Sequence, residues 1–253
     1  MKGTVVLDLD GVVYVGEDAI PGAAEALRAI TDAGGTVLFA TNNSYRTRDD
    51  GAEKIRRVTG YDAQPEQFIS SSLAAASMLV PDDGPVYMLG GPGVEEAIVL
   101  AGLERTHDAS TARSVVAGLD REVSYTSIAG AATAIRRGAR FIATNLDATF
   151  PSPRGLMPGA GTIVAAVRTA SETEPEVAGK PFQPMRMLLA KSSGGDPTWM
   201  VGDRADTDLA MAVAEGWTSV LVLTGVTSDP STVDPLPDLT LPSIAELLDH
   251  LPL

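Results

Sequence analysis

The chain has 253 residues, no cysteine, 33 acidic against 19 basic side chains, and a formal net charge of −14. The lack of cysteine excludes disulfides, thiolate metal sites and a cysteine nucleophile, and the acidic balance argues against a nucleic-acid partner, which asks for a basic patch. No apolar run approaches the ~18 residues that span a bilayer, and the opening MKGTVVLDLDG is too short and too acidic for a signal peptide, so no membrane partner and a cytoplasmic location are expected.

A chain of this length buries a core without covalent staples and forms one or two domains. Apolar strand patterns alternate with helical ones, which predicts an α/β parallel sheet. The first strand, 4–9 (TVVLDL), is a near-continuous apolar run of the kind a doubly buried strand shows. It ends in Asp8 and Asp10. Residues i and i+2 of a strand share a face, so the two carboxylates are expected side by side, roughly 7 Å apart at Cα. They repel unless a cation stands between them or one holds a proton. Gly11 then permits a tight turn.

A helix is predicted over 21–33, opened by Pro21 and stopped by Gly34–Gly35. The next strand, 36–40, runs into Thr41, Asn42 and Asn43. A hydroxyl with turn amides makes an oxyanion cradle; a capped strand-to-helix turn is the plainer alternative. Further strands are expected at 86–90, 114–118 and 140–144, the last followed by Thr144, Asn145 and Asp147. MLGGPGVEE fits two glycines of a dinucleotide fingerprint, but Glu96 stands where the third belongs. That stretch predicts an ordinary strand-to-helix turn. A helix at 158–170 is again opened by Pro-Gly.

Lys180, in VAGKPF, lies outside any regular helix. It can neutralise a phosphate or a carboxylate, although alone it reads as a surface lysine. The strand 198–202 ends in Gly202–Asp203, with Asp206 and Asp208 close behind. Three carboxylates at a strand end suggest a hard divalent cation; a helix N-terminus also favours Asp. Asp203 reads as a ligand and Asp206 as a capping residue. EF-hand spacing is excluded, because no glycine stands at the sixth loop position. A strand at 219–223, a Pro/Asp-rich loop at 228–238 and a short last helix at 243–250 complete the chain. The basic groups Arg46/Arg48, Lys54/Arg56/Arg57 and Arg136/Arg137/Arg140 read as solvated faces. His107 and His250 lack a metal partner at helical spacing and take no role. Ligands of open parallel sheets bind beyond the carboxyl ends of the strands, which makes the polar strand ends the candidate site.

In order, the chain carries Asp-Leu-Asp-Gly, Thr-Asn-Asn, Gly-Lys-Pro and Gly-Asp-Arg-x-Asp-Thr-Asp. This set resembles the haloacid dehalogenase-like phosphohydrolases over essentially the whole chain, and within them the NagD-like, 4-nitrophenylphosphatase-like branch. The stretch ATNLDATFPSPRGLMPGAGTIVAAV is similar to the cap of that branch. The resemblance implies a Rossmann-like parallel-sheet core with an inserted α/β cap, and Mg²⁺ as cofactor. It implies Asp8 as nucleophile, Asp10 as general acid/base and Lys180 as the charge-neutralising lysine. Thr41, Asn42 and Asn43 would bind phosphate with Lys180, and Asp8, Asp10, Asp203 and Asp208 would hold the metal.

The separation of 139 positions from Thr41 to Lys180 exceeds what one helix and one strand need. It places the cap at 77–178 and splits the core into 1–76 and 179–253. Cap residues Asn145, Asp147, Phe150 and Arg154 are expected at the substrate, and a homodimer through the cap is a further expectation. The expected function is Mg²⁺-dependent hydrolysis of small phosphomonoesters through an aspartyl-phosphate. 4-Nitrophenyl phosphate would serve in vitro, and the resemblance implies glycerol 3-phosphate or 2-phosphoglycolate as natural candidates; Arg154, the one cation of the cap loop, favours a small monophosphate. A nucleoside monophosphate or pyridoxal phosphate is the alternative substrate. A receiver-like phosphoacceptor or an inactive binding relative is the alternative outside enzymes; the alternate spacing of the acids and the chain length disfavour the receiver.

Overall fold

The computed structural model describes residues 3–152, 155–195 and 198–251. The strands are β1 (Thr4–Leu7), β2 (Tyr14–Val15), β3 (Asp18–Ala19), β4 (Thr36–Thr41), β5 (Phe68–Ser70), β6 (Val86–Leu89), β7 (Arg105–Thr106) and β8 (Ser114–Ala117). They continue as β9 (Arg140–Ala143), β10 (Thr149–Ser152), β11 (Gly155–Pro158), β12 (Glu176–Val177), β13 (Thr198–Gly202), β14 (Thr218–Val222) and β15 (Leu239–Leu241). The α-helices are α1 (Ala23–Asp32), α2 (Arg48–Thr59), α3 (Ser71–Ala76), α4 (Pro92–Leu100), α5 (Tyr125–Arg136), α6 (Ala160–Ser171), α7 (Gln183–Ser192) and α8 (Ala210–Glu215).

By contacts the chain divides into two compact units. The first comprises Met1–Thr41, Arg48–Ile69 and Arg186–Leu253, and the second Asn42–Thr47 and Ser70–Met185. The second unit thus takes in 42–47, 70–76 and 179–185, stretches that sequence spacing alone assigns to the core. Hydrogen bonds between Asn42 and Lys180, and from Ser71 to Asn42, tie them there.

The sheet of the first unit has the order β15-β14-β13-β1-β4-β5. Its registered pairs are parallel. Numbered along the chain this is 3-2-1-4-5-6, the Rossmann order, whose switch point lies between the first and fourth strands. Here these are β1 and β13. All of β1 is buried, as its near-continuous apolar sequence demands. Helix α1 buries Ala23, Ala26, Leu27 and Ile30, the i, i+3, i+4, i+7 stripe of an amphipathic helix.

The second unit has its own parallel sheet, ordered β12-β9-β8-β6-β7, with an antiparallel hairpin, β10–β11. Along the chain that is 2-1-3-4-5, the flavodoxin-like order. Helix α6 buries Ile163, Val164 and Val167 in this sheet's core. No helix among the described residues is long and apolar enough to cross a membrane.

The expected α/β architecture, a Rossmann-like parallel-sheet core with an inserted α/β unit, is therefore what the chain adopts, and all seven expected strands are present. Several details differ. β1 stops at Leu7 rather than residue 9, because the chain turns at Asp8–Asp10. Helix α1 begins at Ala23 behind Gly22, not at Pro21, and the last helix is a 3₁₀ segment, Ile244–Asp249, capped by Ser243. Three residues of the expected loop's downstream flank form the edge strand β15.

The basic clusters are only partly solvated faces. Lys54 is buried, with its ammonium 3.7 Å from the centre of the Tyr14 ring. Arg140 opens β9 and forks onto Glu176 of β12 at 2.6 and 2.7 Å, with a third bond to Asp83 at 3.0 Å. The Arg140 hydrogen bonds hold the Glu176 carboxyl below the usual glutamate range. Because β12 leads directly to Lys180, this pair anchors the strand that delivers it.

Arg140→Ala should lower the thermal midpoint at neutral pH. Glu176 is about half exposed, so screening keeps the loss to about 1 kcal/mol. A depressed carboxyl stabilises above its unfolded pKa, and that contribution fades as pH falls through the folded value. The wild-type advantage should therefore narrow below about pH 4. Thermal melts across pH check this, and a gap that widened with acid would contradict it.

Candidate active site

Asp8 follows β1 and Asp203 follows β13, so both stand at the carboxyl ends of the two strands that flank the switch point. The Asp8 amide bonds the Val201 carbonyl at 2.9 Å, fixing the two strand ends together. Asp208 lies in a single π turn, Ala205–Leu209, which bulges the backbone between β13 and α8. Each of the three residues offers a carboxylate oxygen within 4.8 Å of the others, and all three are buried.

Backbone amides hold this cluster in place. Asp203 Oδ2 accepts from the Val226 amide at 2.6 Å, and Asp208 Oδ2 accepts from the Arg204 amide at 3.2 Å. Glycines make the room. A Cβ on Gly202 would collide with the Asp208 side chain, and one on Gly225 with the Asp203 carboxylate. A Cβ on Gly11 would stand 2.7 Å from Asp203 Oδ2, and its φ of +92° is itself a conformation that favours glycine. The Gly11 carbonyl accepts from Thr224 Oγ1 at 2.5 Å.

Thr224, Gly225 and Val226 were not candidates from sequence. The signal is a Thr-Gly pair one residue past β14, a strand end next to that of Asp203.

Thr41 closes β4 and is buried in the first unit. Asp10 differs from Asp8. It is exposed, lies outside the three-carboxylate cluster, and bridges to Tyr14. The strand-face relation of Asp8 and Asp10 therefore does not hold, because both residues follow the end of β1. Asp206 is exposed and pairs with Arg204 at 2.7 Å, a local ion pair at the start of the π turn.

The second unit contains Asn42, Asn43 and Lys180. Lys180 is 4% exposed, which overturns the surface-lysine reading of that position taken alone. Its N–H donates to Asn42 Oδ1 at 2.8 Å, and its carbonyl accepts from Asn42 Nδ2 at 3.3 Å. Asn145 is buried; its Nδ2 donates to the Asn42 carbonyl at 2.6 Å, and its Oδ1 accepts from the Asp147 amide at 3.0 Å. Asp147 and Phe150 are half-buried, and Phe150 faces Met157 in the β10–β11 register. Arg154 lies outside the described residues.

The glycine-rich turn after β6 is the N-cap of α4, as expected of a strand-to-helix turn. Its crevice, at the switch point of the second sheet between β6 and β8, is filled by residues 44–46. Ser44 Oγ accepts from the Leu119 amide at 2.9 Å and the Gly93 amide donates to the Tyr45 carbonyl at 2.9 Å. A Cβ on Gly91 would enter the Tyr45 ring. A dinucleotide finds that position taken.

The donor set Asp8, Asp203 and Asp208 fits a hard divalent cation. It is all-oxygen, buried, anionic and framed by backbone that leaves no space for larger side chains.

Comparison with known proteins agrees in kind. Residues 5–104 match the family described as haloacid dehalogenase-like hydrolase, and residues 177–247 match a second family described as HAD-hydrolase-like. An acid sugar phosphatase of Staphylococcus haemolyticus is 38% identical over 229 residues, covering 88% of this chain and 86% of that protein. The crystal structure of a Mycobacterium tuberculosis glycerol phosphate phosphatase in complex with magnesium is 32% identical. It superposes with a TM-score of 0.90 and covers 97% of this chain and 76% of its own. A 4-nitrophenylphosphatase from Thermotoga maritima is 29% identical, with a TM-score of 0.89 and coverage of 98% and 96%.

A divalent cation that binds the cluster should raise the thermal midpoint, by about 2.7 kcal/mol of stability at 100 times its dissociation constant. Asp203→Asn removes one of three repelling charges. It should melt no lower than wild type in chelator and respond far less to added cation. An equal response in both proteins would remove Asp203 from the ligand set.

Proposed function

The chain belongs to the haloacid dehalogenase-like hydrolases, and from that premise we propose that it is a phosphoric monoester hydrolase that uses Mg²⁺ and works through an aspartyl-phosphate on Asp8. The observation that carries the proposal is the buried cluster of Asp8, Asp203 and Asp208 at the switch point of a Rossmann-ordered sheet. The phosphatase names of the relatives support the reaction class, and the magnesium complex of one of them supports the ion.

Asp8, Asp203 and Asp208 would hold Mg²⁺, which when bound supplies positive charge against the repulsion between a phosphate dianion and a carboxylate. An Asp8 oxygen attacks phosphorus and the bond to the ester oxygen breaks, giving the aspartyl-phosphate and an alkoxide. Asp10, exposed and outside the cluster, protonates that alkoxide. It then takes a proton from the water that attacks phosphorus and frees inorganic phosphate from Asp8. Thr41 and the amides of Asn42 and Asn43 bind the phosphoryl oxygens, and Lys180 balances their charge. We read 1–76 with 179–253 as the catalytic core and 77–178 as the cap that selects the leaving group.

The names of the sugar and glycerol phosphate phosphatases favour a small polyol or sugar monophosphate as substrate. Glycerol 3-phosphate fits that class, ahead of 2-phosphoglycolate, nucleoside monophosphates and pyridoxal phosphate. The cysteine-free acidic chain is consistent with a cytoplasmic enzyme.

The roles of the two aspartates separate kinetically. Asp10→Asn should still release 4-nitrophenolate from 4-nitrophenyl phosphate in a stoichiometric burst, because that leaving group needs little acid, followed by a slow steady state. With glycerol 3-phosphate the first step should itself slow, by the ~10²–10⁴-fold that acid–base help supplies. Asp8→Asn should show neither burst nor turnover, and excess chelator should silence wild type. A burst kept by Asp8→Asn and lost by Asp10→Asn would reverse the assignment.

A further inference from the structure

We propose that Asn42 is a positioning residue for Lys180, acting through its side chain. Lys180 follows β12 and precedes α7, so neither ladder takes its backbone groups. One carboxamide, 138 residues away in sequence, takes both instead. Oδ1 of Asn42 accepts the Lys180 N–H at 2.8 Å and Nδ2 donates to the Lys180 carbonyl at 3.3 Å. Nδ2 also reaches Asp147 Oδ1 at 3.5 Å.

The bracket is itself braced. The Asn42 carbonyl accepts from Asn145 Nδ2 at 2.6 Å and from Ser71 Oγ at 2.7 Å. The neighbouring Gly179 donates to the Thr144 carbonyl at 2.8 Å. A Cβ on Gly179 would stand 2.5 Å from Asn42 Oδ1, so glycine is what lets the carboxamide reach the lysine backbone. Every member belongs to the second unit.

Asparagine is the residue type that the task requires. It offers a donor and an acceptor on one planar group of fixed length. Aspartate has the same shape but would set an acceptor against the Lys180 carbonyl. The buried lysine stem then starts from a fixed backbone point, and that sets where the ammonium stands. With its side chain so engaged, Asn42 meets phosphate through its main-chain N–H. Asn145 braces this bracket through its carboxamide.

The proposal rests on the reading of Lys180 as the cation that faces the phosphoryl group, and two measurements keep the two apart. The first is hydrogen exchange of the Lys180 amide. It should be protected in wild type and exchange at least about ten times faster in Asn42→Ala, as expected of a local opening, while amides of β8 and β9 keep their protection. The second is a double-mutant cycle in steady-state hydrolysis of 4-nitrophenyl phosphate. Asn42→Ala should lower kcat by up to about 10²-fold, the cost of a misplaced group, with KM little changed. Combined with Lys180→Ala it should add nothing, because both act through the same ammonium. Asn42→Asp keeps the shape and loses the donor, and should show the same non-additivity; it serves also if Asn42→Ala does not fold. Unchanged exchange at Lys180, or losses that multiply in the double variant, would overturn the bracket. A wild-type protein inactive on phosphate esters would overturn the phosphatase reading instead, and exchange at Lys180 would still decide whether Asn42 holds it.

Discussion

Three buried carboxylates, each presenting an oxygen within 4.8 Å of the others, set the terms for the rest of the first unit. At an effective dielectric near 20, two unit charges at that separation repel by roughly 3 kcal/mol. Side chains free to move would separate. Here two carboxylates are held by backbone, Asp203 by the Val226 N–H and Asp208 by the Arg204 N–H, and the main chain of Asp8 is fixed by its hydrogen bond to the Val201 carbonyl. The glycines at 11, 202 and 225 are the other half of the device, since any side chain there would displace an acid. Doubly buried β1 and β13 supply the rigid floor. A site built to hold negative charge at high density is a site built for a cation, and the strand order that places it at the switch point is the one expected of a ligand-binding sheet.

The second unit repeats the principle with a different outcome. Its parallel sheet also has a switch point, but the chain fills the crevice with its own residues 44–46. The glycines after β6 accommodate a tyrosine ring rather than a pyrophosphate. What that unit offers chemically is Lys180, carried past β12 and gripped by Asn42. The Arg140–Glu176 fork ties β12 to β9 immediately upstream. Strand anchoring, glycine packing and side-chain bracketing thus converge on buried Lys180.

Much of this was legible in the chain. Parallel strands buried on both faces are near-continuous apolar runs, so β1, β4, β6, β8, β9, β13 and β14 stand out, and the acids that follow β1 and β13 mark themselves. Other features depend on distant partners. Lys180 looks solvent-bound between glycine and proline, because the residue that hydrogen-bonds its backbone is 138 positions away. Lys54 looks like one of a basic helix face until Tyr14 is found beneath its ammonium. Asp8 and Asp10 look equivalent because strand periodicity carried past Leu7 puts them on one face; the strand ends at Leu7, and the turn that follows buries one acid while exposing the other. β15 is three residues long at a sheet edge, flanked by prolines, and carries too little pattern to be seen.

The central claim is that Asp8, and not its neighbour two residues on, forms the bond to phosphorus. Acid quenching during turnover of 4-nitrophenyl phosphate, borohydride reduction and peptide mass mapping read this directly, since reduction of an acyl phosphate converts that aspartate to homoserine. The account predicts homoserine at position 8 alone, dependent on substrate. Label at Asp10, or full turnover with no label on either aspartate, would contradict it.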